Sequence, residues 1–187
     1  ALGISALAFP LGTAFVASYA ESLLGDVFDF ELFKYPEETA TAVLDKRPRV
    51  IGFSNYAWNM ELAYKLASWA KQKHPETIII FGGPNFPIIA NEQAAFLKSR
   101  ATIDFYIQNE GEVGFVALLR ELLDHDFDLA AFHKAAPVIA NCCYIADGEL
   151  VAGNIERILD VNKIPSPYLS GMLDKFFDEP LVPMIET

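Results

Sequence analysis

The chain has 187 residues, a formal net charge of -11 at pH 7, and a composition that is 52% hydrophobic and 13% aromatic. A chain of this length buries roughly 70% of its unfolded surface, which is enough for one domain with an appendage. The negative charge excludes nucleic acid and anionic membrane surfaces as favoured partners, because both attract basic proteins.

No targeting or membrane segment is expected. The apolar runs are shorter than the roughly 20 residues that span a bilayer, and residues 1–18 lack the basic start of a signal peptide. Cys142 and Cys143 are adjacent, and neighbouring cysteines rarely bridge. We therefore expect buried thiols in a cytoplasmic protein.

Before residue 50 the sequence predicts two strands and two helices. Residues 3–8 read as a short buried strand, and a helix follows over residues 13–24. Val27–Phe33 is predicted as a second strand, and its two acidic residues place it at a wet sheet edge. Residues 36–46 form a second helix, because proline and then two glutamates suit a first turn.

Three further apolar runs alternate with helical patterns. Val50–Ser54, Thr77–Phe81 and Ile103–Ile107 are the predicted third, fourth and fifth strands. A helical pattern follows each of these strands, and the helix between the fourth and fifth strands, at residues 88–98, is short. The helix after the third strand is expected to bury Leu62, Leu66 and Trp69, and its small residues are expected to let it approach the sheet closely, namely Ala63, Ala67 and Ala70.

This alternation predicts a doubly wound α/β fold with a five-stranded parallel sheet in the order 2-1-3-4-5. After residue 134 the pattern changes to a β-hairpin around Asp147-Gly148. A stiff segment and a short helix over residues 168–177 follow. We therefore assign residues 1–134 to the Rossmann-like domain and residues 135–187 to an appended hairpin and connector.

Ligands of such sheets lie outside the carboxyl ends of the strands. Four loops are expected at that edge, with hydroxyl, aromatic, small or acidic residues. The candidate ligand-binding residues are Phe9, Pro10, Leu11, Gly12, Ser54, Asn55, Tyr56, Trp58, Gly82, Gly83, Pro84, Glu110, Gly111 and Glu112.

Each candidate has a structural alternative. Ser54 and its neighbours could form a helix cap followed by core aromatics. Gly82-Gly83 fits either a plain turn or the close approach of a ligand to the backbone. Glu110 and Glu112 fit acid–base work, compensation of a helix dipole or a hydrogen bond to a ligand amide.

The sequence gives little support for nucleotide binding, catalysis or metal binding. The loop after residue 10 lacks the glycines and the lysine of nucleotide-binding motifs. The three histidines lie near predicted helix ends and are expected to be solvated. No catalytic triad, metal cluster or nucleophilic cysteine can be assembled, so we predict no catalytic and no metal-ligating residue.

Three segments resemble the cobalamin-binding domain, namely Ile51–Tyr56, Phe81–Pro84 and Asn109–Glu112. They are similar to the amino-terminal domains of cobalamin-dependent radical S-adenosylmethionine (SAM) enzymes over residues 1–130. The tail from Ile164 onward resembles the connector to the radical SAM domain. The cysteine motif of that domain is absent, so the sequence is expected to stop before it.

The resemblance implies roles for individual residues. Ser54 matches the serine of an SxL-like motif and would bind the nucleotide tail of cobalamin, with Tyr56 in place of the leucine. Gly82 and Gly83 match the glycine pair that flanks this tail. Trp58 would shape the corrin seat together with Tyr56.

The loop after the first predicted strand departs from the family pattern. Gly12 matches the last glycine of the DxHxxG motif, but Leu7 and Phe9 stand in place of the aspartate and the histidine. Phenylalanine cannot ligate cobalt. The resemblance therefore implies cobalamin without a histidine ligand from the protein, its tail between predicted strands 1 and 3.

By the same resemblance, this chain alone catalyses nothing. The longer enzyme would be a methyltransferase that uses methylcobalamin, a 4Fe–4S cluster and SAM, and its radical SAM domain would be the partner of this domain. Two alternatives stay open. One is a flavodoxin-like or receiver-like module, and the other is a degenerate interaction domain that binds no cofactor.

Overall fold

A computed structural model describes residues 8–185 of the chain. The chain divides into two compact units. One consists of the described parts of the segments Ala1–Lys34 and Ile158–Thr187, and the other spans Tyr35–Arg157. They are called here the terminal unit and the sheet unit.

The terminal unit is built on helix α1 (Leu11–Leu24). The small and apolar side chains on one face of α1 pack with Phe9, Leu32, Leu173 and Phe176 in a separate core. Ala8 forms a parallel bridge to Val182. Two short 3-10 turns complete the unit, at Val161–Lys163 and Asp174–Phe176.

Two predictions for the terminal unit are wrong. Val27–Phe33 is not a strand. Its side chains do alternate between exposed and buried, with Asp29 and Glu31 outside and Leu32 inside, but no described strand pairs with it. Residues 168–177 form turns and a single 3-10 segment instead of a continuous helix.

The sheet unit contains a five-stranded sheet. Strands β1 (Val50–Ser54), β2 (Ile78–Gly82) and β3 (Phe105–Ile107) are parallel. Strands β4 (Cys142–Ala146) and β5 (Glu149–Ala152) extend the sheet as an antiparallel hairpin, in the order β1-β2-β3-β4-β5. The predicted hairpin is confirmed, but it belongs to the sheet instead of lying outside it.

Five helices cover the sheet unit, and they are α2 (Pro36–Lys46), α3 (Met60–Lys73), α4 (Ala90–Lys98), α5 (Gly111–Asp124) and α6 (Leu129–Ala135). The first four were expected from the sequence. The short helix α6 was not, although the Asp128 carboxylate caps it by accepting hydrogen bonds from the amides of Ala130 and Ala131.

The buried face of α3 differs from the prediction. Ala63, Ala67 and Ala70 lie in the core, whereas Leu62 is 48% exposed. Alanines spaced at three and four residues let the helix approach the sheet closely, so the larger side chains lie at its flanks. The predicted close approach of the three alanines to the sheet is therefore confirmed, and the predicted burial of Leu62 is wrong. Leu66 and Trp69 are half-buried.

The parallel order 2-1-3-4-5 required five parallel strands, whereas the described sheet has three parallel strands and a hairpin. The predicted second strand, Val27–Phe33, is absent. The predicted first strand, at residues 3–8, lies almost wholly outside the described residues, so the doubly wound arrangement stays a prediction. Within residues 8–185 no helix meets the length and hydropathy needed to cross a bilayer.

Candidate functional site

Two loops leave the same edge of the sheet. Strands β1 and β2 are parallel and in register, with Ser54 opposite Gly82. The loop 55–59 follows β1 and the loop 83–89 follows β2, so both begin at the carboxyl edge. This is the edge at which parallel sheets bind ligands, and we call these two segments the carboxyl-edge loops.

Asn55 joins the two loops from beneath. Its side chain is fully buried, and its Nδ2 donates to the Asn85 carbonyl at 2.8 Å and to the Tyr106 hydroxyl at 2.9 Å. Its Oδ1 accepts from Asn85 Nδ2 at 3.1 Å. The Tyr106 hydroxyl in turn donates to the Gly83 carbonyl at 2.8 Å. These four residues are called here the Asn55 network.

The Asn55 network explains why position 83, one of the candidate ligand-binding positions, is a glycine. Gly83 has φ +123°, and a Cβ there would lie 2.7 Å from the Asn55 carbonyl oxygen. The close backbone approach expected at this position is therefore made by the protein itself. At Gly82 a Cβ would lie 3.4 Å from the Ile107 carbonyl oxygen, and Pro84 is exposed.

Ser54 is half-buried at the end of β1 and lies beside Asn59. Asn59 Nδ2 donates to the Ser54 carbonyl at 2.9 Å, and Asn59 Oδ1 accepts from the Tyr56 amide at 2.8 Å. Among the described residues the Ser54 hydroxyl makes one long contact, 3.4 Å to Asn59 Nδ2. This hydroxyl therefore retains the capacity to donate a hydrogen bond to a ligand.

Apolar side chains project from both loops. The Tyr56 and Trp58 rings stack with their centroids 4.6 Å apart and 11° between their planes, and Trp58 is 66% exposed. On the second loop Ile88 is 94% exposed and Ile89 is 59% exposed. The carboxyl-edge loops therefore present a flat aromatic surface and two aliphatic side chains to solvent.

Glu110, Gly111 and Glu112 surround the start of α5. The backbone carbonyl of Glu110 accepts a hydrogen bond from Asn141 Nδ2 at 3.1 Å, and its carboxylate lies 3.8 Å from an Arg157 guanidinium nitrogen. Glu112 lies in the first turn of α5, where a carboxylate interacts favourably with the helix dipole. These positions favour the structural alternative for Glu110 and Glu112, which is compensation of the helix dipole.

The residues Phe9, Pro10, Leu11 and Gly12 belong to the terminal unit. Pro10 precedes α1, Leu11 is buried, and Gly12 is exposed in the first turn. Phe9 is 4% exposed. Its ring packs against three aromatic rings of the same unit, namely Tyr168, Phe176 and Phe177. The binding roles of these four residues stay predictions.

The histidines lie away from the carboxyl edge. His74 follows the end of α3 and His125 follows the end of α5, and both helices begin near that edge and end at the opposite one. His133 lies in α6, and its ring packs near Phe105 at the start of β3, with 6.3 Å between the ring centroids. The Nε2 atoms of His74 and His133 are buried without hydrogen-bond partners, so the expectation that all three are solvated is wrong.

The amino edge also carries a buried ion pair. Lys71 Nζ lies 2.7 Å from an Asp104 carboxylate oxygen, and the second oxygen accepts from the Ile79 amide at 2.7 Å. Burial raises the pKa of the Asp104 carboxyl above its ordinary value, although Lys71 opposes this. The pair thus fixes the starts of β2 and β3.

The cysteines are buried free thiols, as predicted. Burial raises the pKa of Cys142, and it raises that of Cys143 to about 11 even though Gln108 donates a hydrogen bond to its sulfur. Neither thiol is therefore a nucleophile near neutral pH. Within residues 8–185, no group of three or more potential metal-binding side chains comes together.

The family model described as "B12 binding domain" matches residues 4–119. The chain therefore belongs to the B12 binding domain family, which confirms the resemblance found in the sequence.

Two curated relatives carry this region within longer proteins. The chain is 29% identical over 181 residues to the 2-(S-pantetheinyl)-carbapenam-3-carboxylate methyltransferase of Streptantibioticus cattleyicolor, covering 92% of this chain and 25% of that protein. It is 28% identical over 176 residues to the cobalamin-dependent radical SAM methyltransferase TokK of Streptomyces tokunonensis, covering 88% of this chain and 24% of TokK. The chain thus spans about a quarter of these relatives.

Solved structures support the fold. The cobalamin-dependent S-adenosylmethionine radical enzyme OxsB, with aqua-cobalamin and S-adenosylmethionine bound, superposes with a TM-score of 0.64 at 20% identity. The match covers 95% of this chain and 24% of OxsB. The OxsB structure with aqua-cobalamin alone gives a TM-score of 0.63, also at 20% identity, over 94% of this chain and 24% of that one.

Sequence reasoning missed several residues of this edge. Asn85, Tyr106 and Asn59 hold the loops, and Ile88 and Ile89 project from them. Ile88 and Ile89 were assigned to the start of the predicted helix 88–98, whereas α4 begins at Ala90. Nothing in the sequence pattern distinguishes Tyr106 from an ordinary core tyrosine, because its partners lie far away along the chain.

Proposed function

We propose that this chain binds cobalamin at the carboxyl-edge loops, with no histidine of the chain on cobalt. The observation that carries the proposal is the exposed Tyr56–Trp58 stack beside the Ser54 hydroxyl, at the ligand-binding edge of a B12 binding domain. A corrinoid has a broad, mostly apolar face and a polar nucleotide tail. The exposed aromatic and aliphatic side chains fit the former, and the hydroxyl fits the latter.

The positions of the histidines support the second half of the proposal. His74, His125 and His133 are all the histidines of the sequence, and each belongs to the opposite side of the sheet unit. Phe9, which replaces the family histidine, is a core residue of the terminal unit. These positions support a site in which no imidazole of this chain reaches cobalt.

The proposal assigns roles to individual residues of this edge. Ser54 would donate a hydrogen bond to the nucleotide tail, Tyr56 and Trp58 would contact the corrin plane, and Ile88 would cover its edge. Gly82 and Gly83 would lie near the tail, and Glu110 and Glu112 would accept hydrogen bonds from corrin amides. When bound, cobalamin supplies methyl-transfer chemistry, and the protein supplies position and exclusion of water.

We further propose that the whole protein is a cobalamin-dependent radical SAM methyltransferase. The names and the greater lengths of the two curated relatives support this. The segment after residue 134 would lead into a radical SAM domain of the same polypeptide, which would hold a 4Fe–4S cluster and SAM. This chain alone would catalyse no reaction.

Titration of the 187-residue chain with hydroxocobalamin tests the binding proposal. We expect a saturable change in the visible spectrum, and colour that remains with the protein after desalting. Trp58→Ala should weaken binding about tenfold, which corresponds to the loss of one buried aromatic contact. Leu44→Ala is the matched control, because Leu44 is 50% exposed on α2 and lies on no carboxyl-edge loop.

The open alternatives give different outcomes. A flavodoxin-like module would bind flavin mononucleotide and reject hydroxocobalamin. A degenerate domain would bind neither, and the Asn55 network is the observation that favours it, because that network satisfies much of the edge internally. Absence of retained colour with the wild-type chain would contradict the proposal.

A further inference from the structure

Tyr106 is a buried residue of β3 whose hydroxyl lies under the carboxyl-edge loops. Its ring is fully buried and stacks on Phe86 with the centroids 3.8 Å apart and 10° between the planes. This stacking places the ring through apolar contacts alone. The hydroxyl is a separate feature, because phenylalanine would keep the same packing without it.

The hydroxyl links one loop to the other. It accepts a hydrogen bond from Asn55 Nδ2, on the loop after β1, and donates one to the Gly83 carbonyl, on the loop after β2. Without it, a buried amide hydrogen of Asn55 and the partly buried carbonyl of Gly83 would each lose a partner. Leaving such groups unpaired is costly, so the two loops would separate or admit water.

We propose that Tyr106 is a positioning residue for cobalamin, a step that rests on the binding function proposed above. The hydroxyl fixes Asn55 and Gly83, and these residues set the paths of the loops that carry Trp58 and Ile88. A ligand that contacts both loops binds more tightly when their relative positions are fixed before it arrives. Tyr106 acts through the loops and does not itself touch the cofactor.

A second buried tyrosine provides a matched control. Tyr144 in β4 is 1% exposed, and its hydroxyl donates to the Pro137 carbonyl at 2.8 Å. Tyr144→Phe removes one buried hydroxyl from the same sheet without touching a carboxyl-edge loop. Comparing it with Tyr106→Phe separates loop positioning from a general loss of stability.

The experiment measures hydroxocobalamin affinity, the thermal midpoint and amide hydrogen exchange for the wild-type chain, Tyr106→Phe and Tyr144→Phe. We expect Tyr106→Phe to weaken binding about three- to tenfold, the value of one or two hydrogen bonds, and Tyr144→Phe to change it less than about twofold. Both variants should lower the thermal midpoint. Without cofactor, exchange should accelerate in residues 55–59 and 83–89 of Tyr106→Phe, and saturating hydroxocobalamin should reverse this.

Four results would overturn the inference. Wild-type affinity in Tyr106→Phe would refute the positioning role while leaving the binding function intact. Equal losses of affinity in the two variants, or exchange that accelerates throughout the sheet, would reduce Tyr106 to a structural residue. If the wild-type chain itself fails to bind hydroxocobalamin, the proposed function is wrong and this inference falls with it.

Discussion

The two edges of the parallel strands are held in different ways. At the amino edge, Lys71 and Asp104 form a buried ion pair that also binds the Ile79 amide. At the carboxyl edge, the Asn55 network is uncharged and lies beneath exposed apolar side chains such as Trp58. The difference teaches that loops can be fixed by neutral hydrogen bonds, which present no charge to the apolar ligand proposed for the carboxyl edge.

The largest expected effect on stability is at the carboxyl edge. Gly83→Ala introduces a Cβ 2.7 Å from the Asn55 carbonyl oxygen, at φ +123°. We expect the free energy of unfolding to fall by about 3 kcal/mol, measured by urea denaturation. Gly148→Ala is the control, because its φ is +78° and its Cβ would meet nothing within 4 Å. Equal losses in the two variants would show that backbone strain alone, and not the approach to Asn55, sets the cost.

The next largest effect is expected at the amino edge. Lys71→Met leaves the Asp104 carboxylate buried without its cation, which should cost about 2–3 kcal/mol at pH 7. The loss should shrink as the pH falls, since the proton that Asp104 then binds removes the unpaired charge. Urea denaturation at pH 7 and pH 5 measures this change. A loss that is independent of pH would contradict the assigned role of the pair.

Asp104→Asn should have a smaller effect that appears in the pH profile. Burial raises the pKa of this carboxyl above 3.8, so the folded chain binds a proton more readily than the unfolded chain. Its contribution to stability is therefore full below pH 3.8 and is lost as the pH rises through the folded pKa. Asparagine still accepts from the Ile79 amide but does not titrate. We expect a flatter profile of unfolding free energy against pH, and an unchanged profile would refute this.

The smallest effect on stability is expected at the exposed surface of the carboxyl edge. Ile88→Ser replaces a side chain that is 94% exposed, and surface substitutions of this kind change stability by less than about 0.5 kcal/mol. Its hydroxocobalamin affinity should nevertheless fall, because the proposed site uses this side chain. Val138→Ser is the control, since Val138 is 71% exposed outside both loops. Equal affinities in the two variants would remove Ile88 from the site.

The sequence predicted correctly those elements whose signals lie within a few neighbouring residues. The apolar run Val50–Ser54 is β1, and the Asp147-Gly148 pair makes the predicted hairpin turn, with φ +48° and +78°. Val27–Phe33 shows why the same reasoning fails elsewhere. Its alternation is present, but a strand needs a partner, and pairing is decided by tertiary structure.

The candidate site was predicted in outline. The two carboxyl-edge loops were found because strand ends are visible as apolar runs that stop at small or polar residues. The Asn55 network was not found, because its hydrogen bonds join residues separated by 30 and 51 positions. The glycine at position 83 was noticed from the sequence, but the backbone atom that requires it was not.

The most direct test of the account is the electron paramagnetic resonance spectrum of cob(II)alamin bound to the 187-residue chain. A nitrogen ligand on cobalt splits the hyperfine lines into triplets, whereas a cobalt without one shows unsplit lines. In the proposed site the protein holds the nucleotide tail and the histidines lie at the far side of the sheet unit, so the chain should give unsplit lines. Triplet splitting from the bound cofactor, or no bound cofactor at all, would contradict the account.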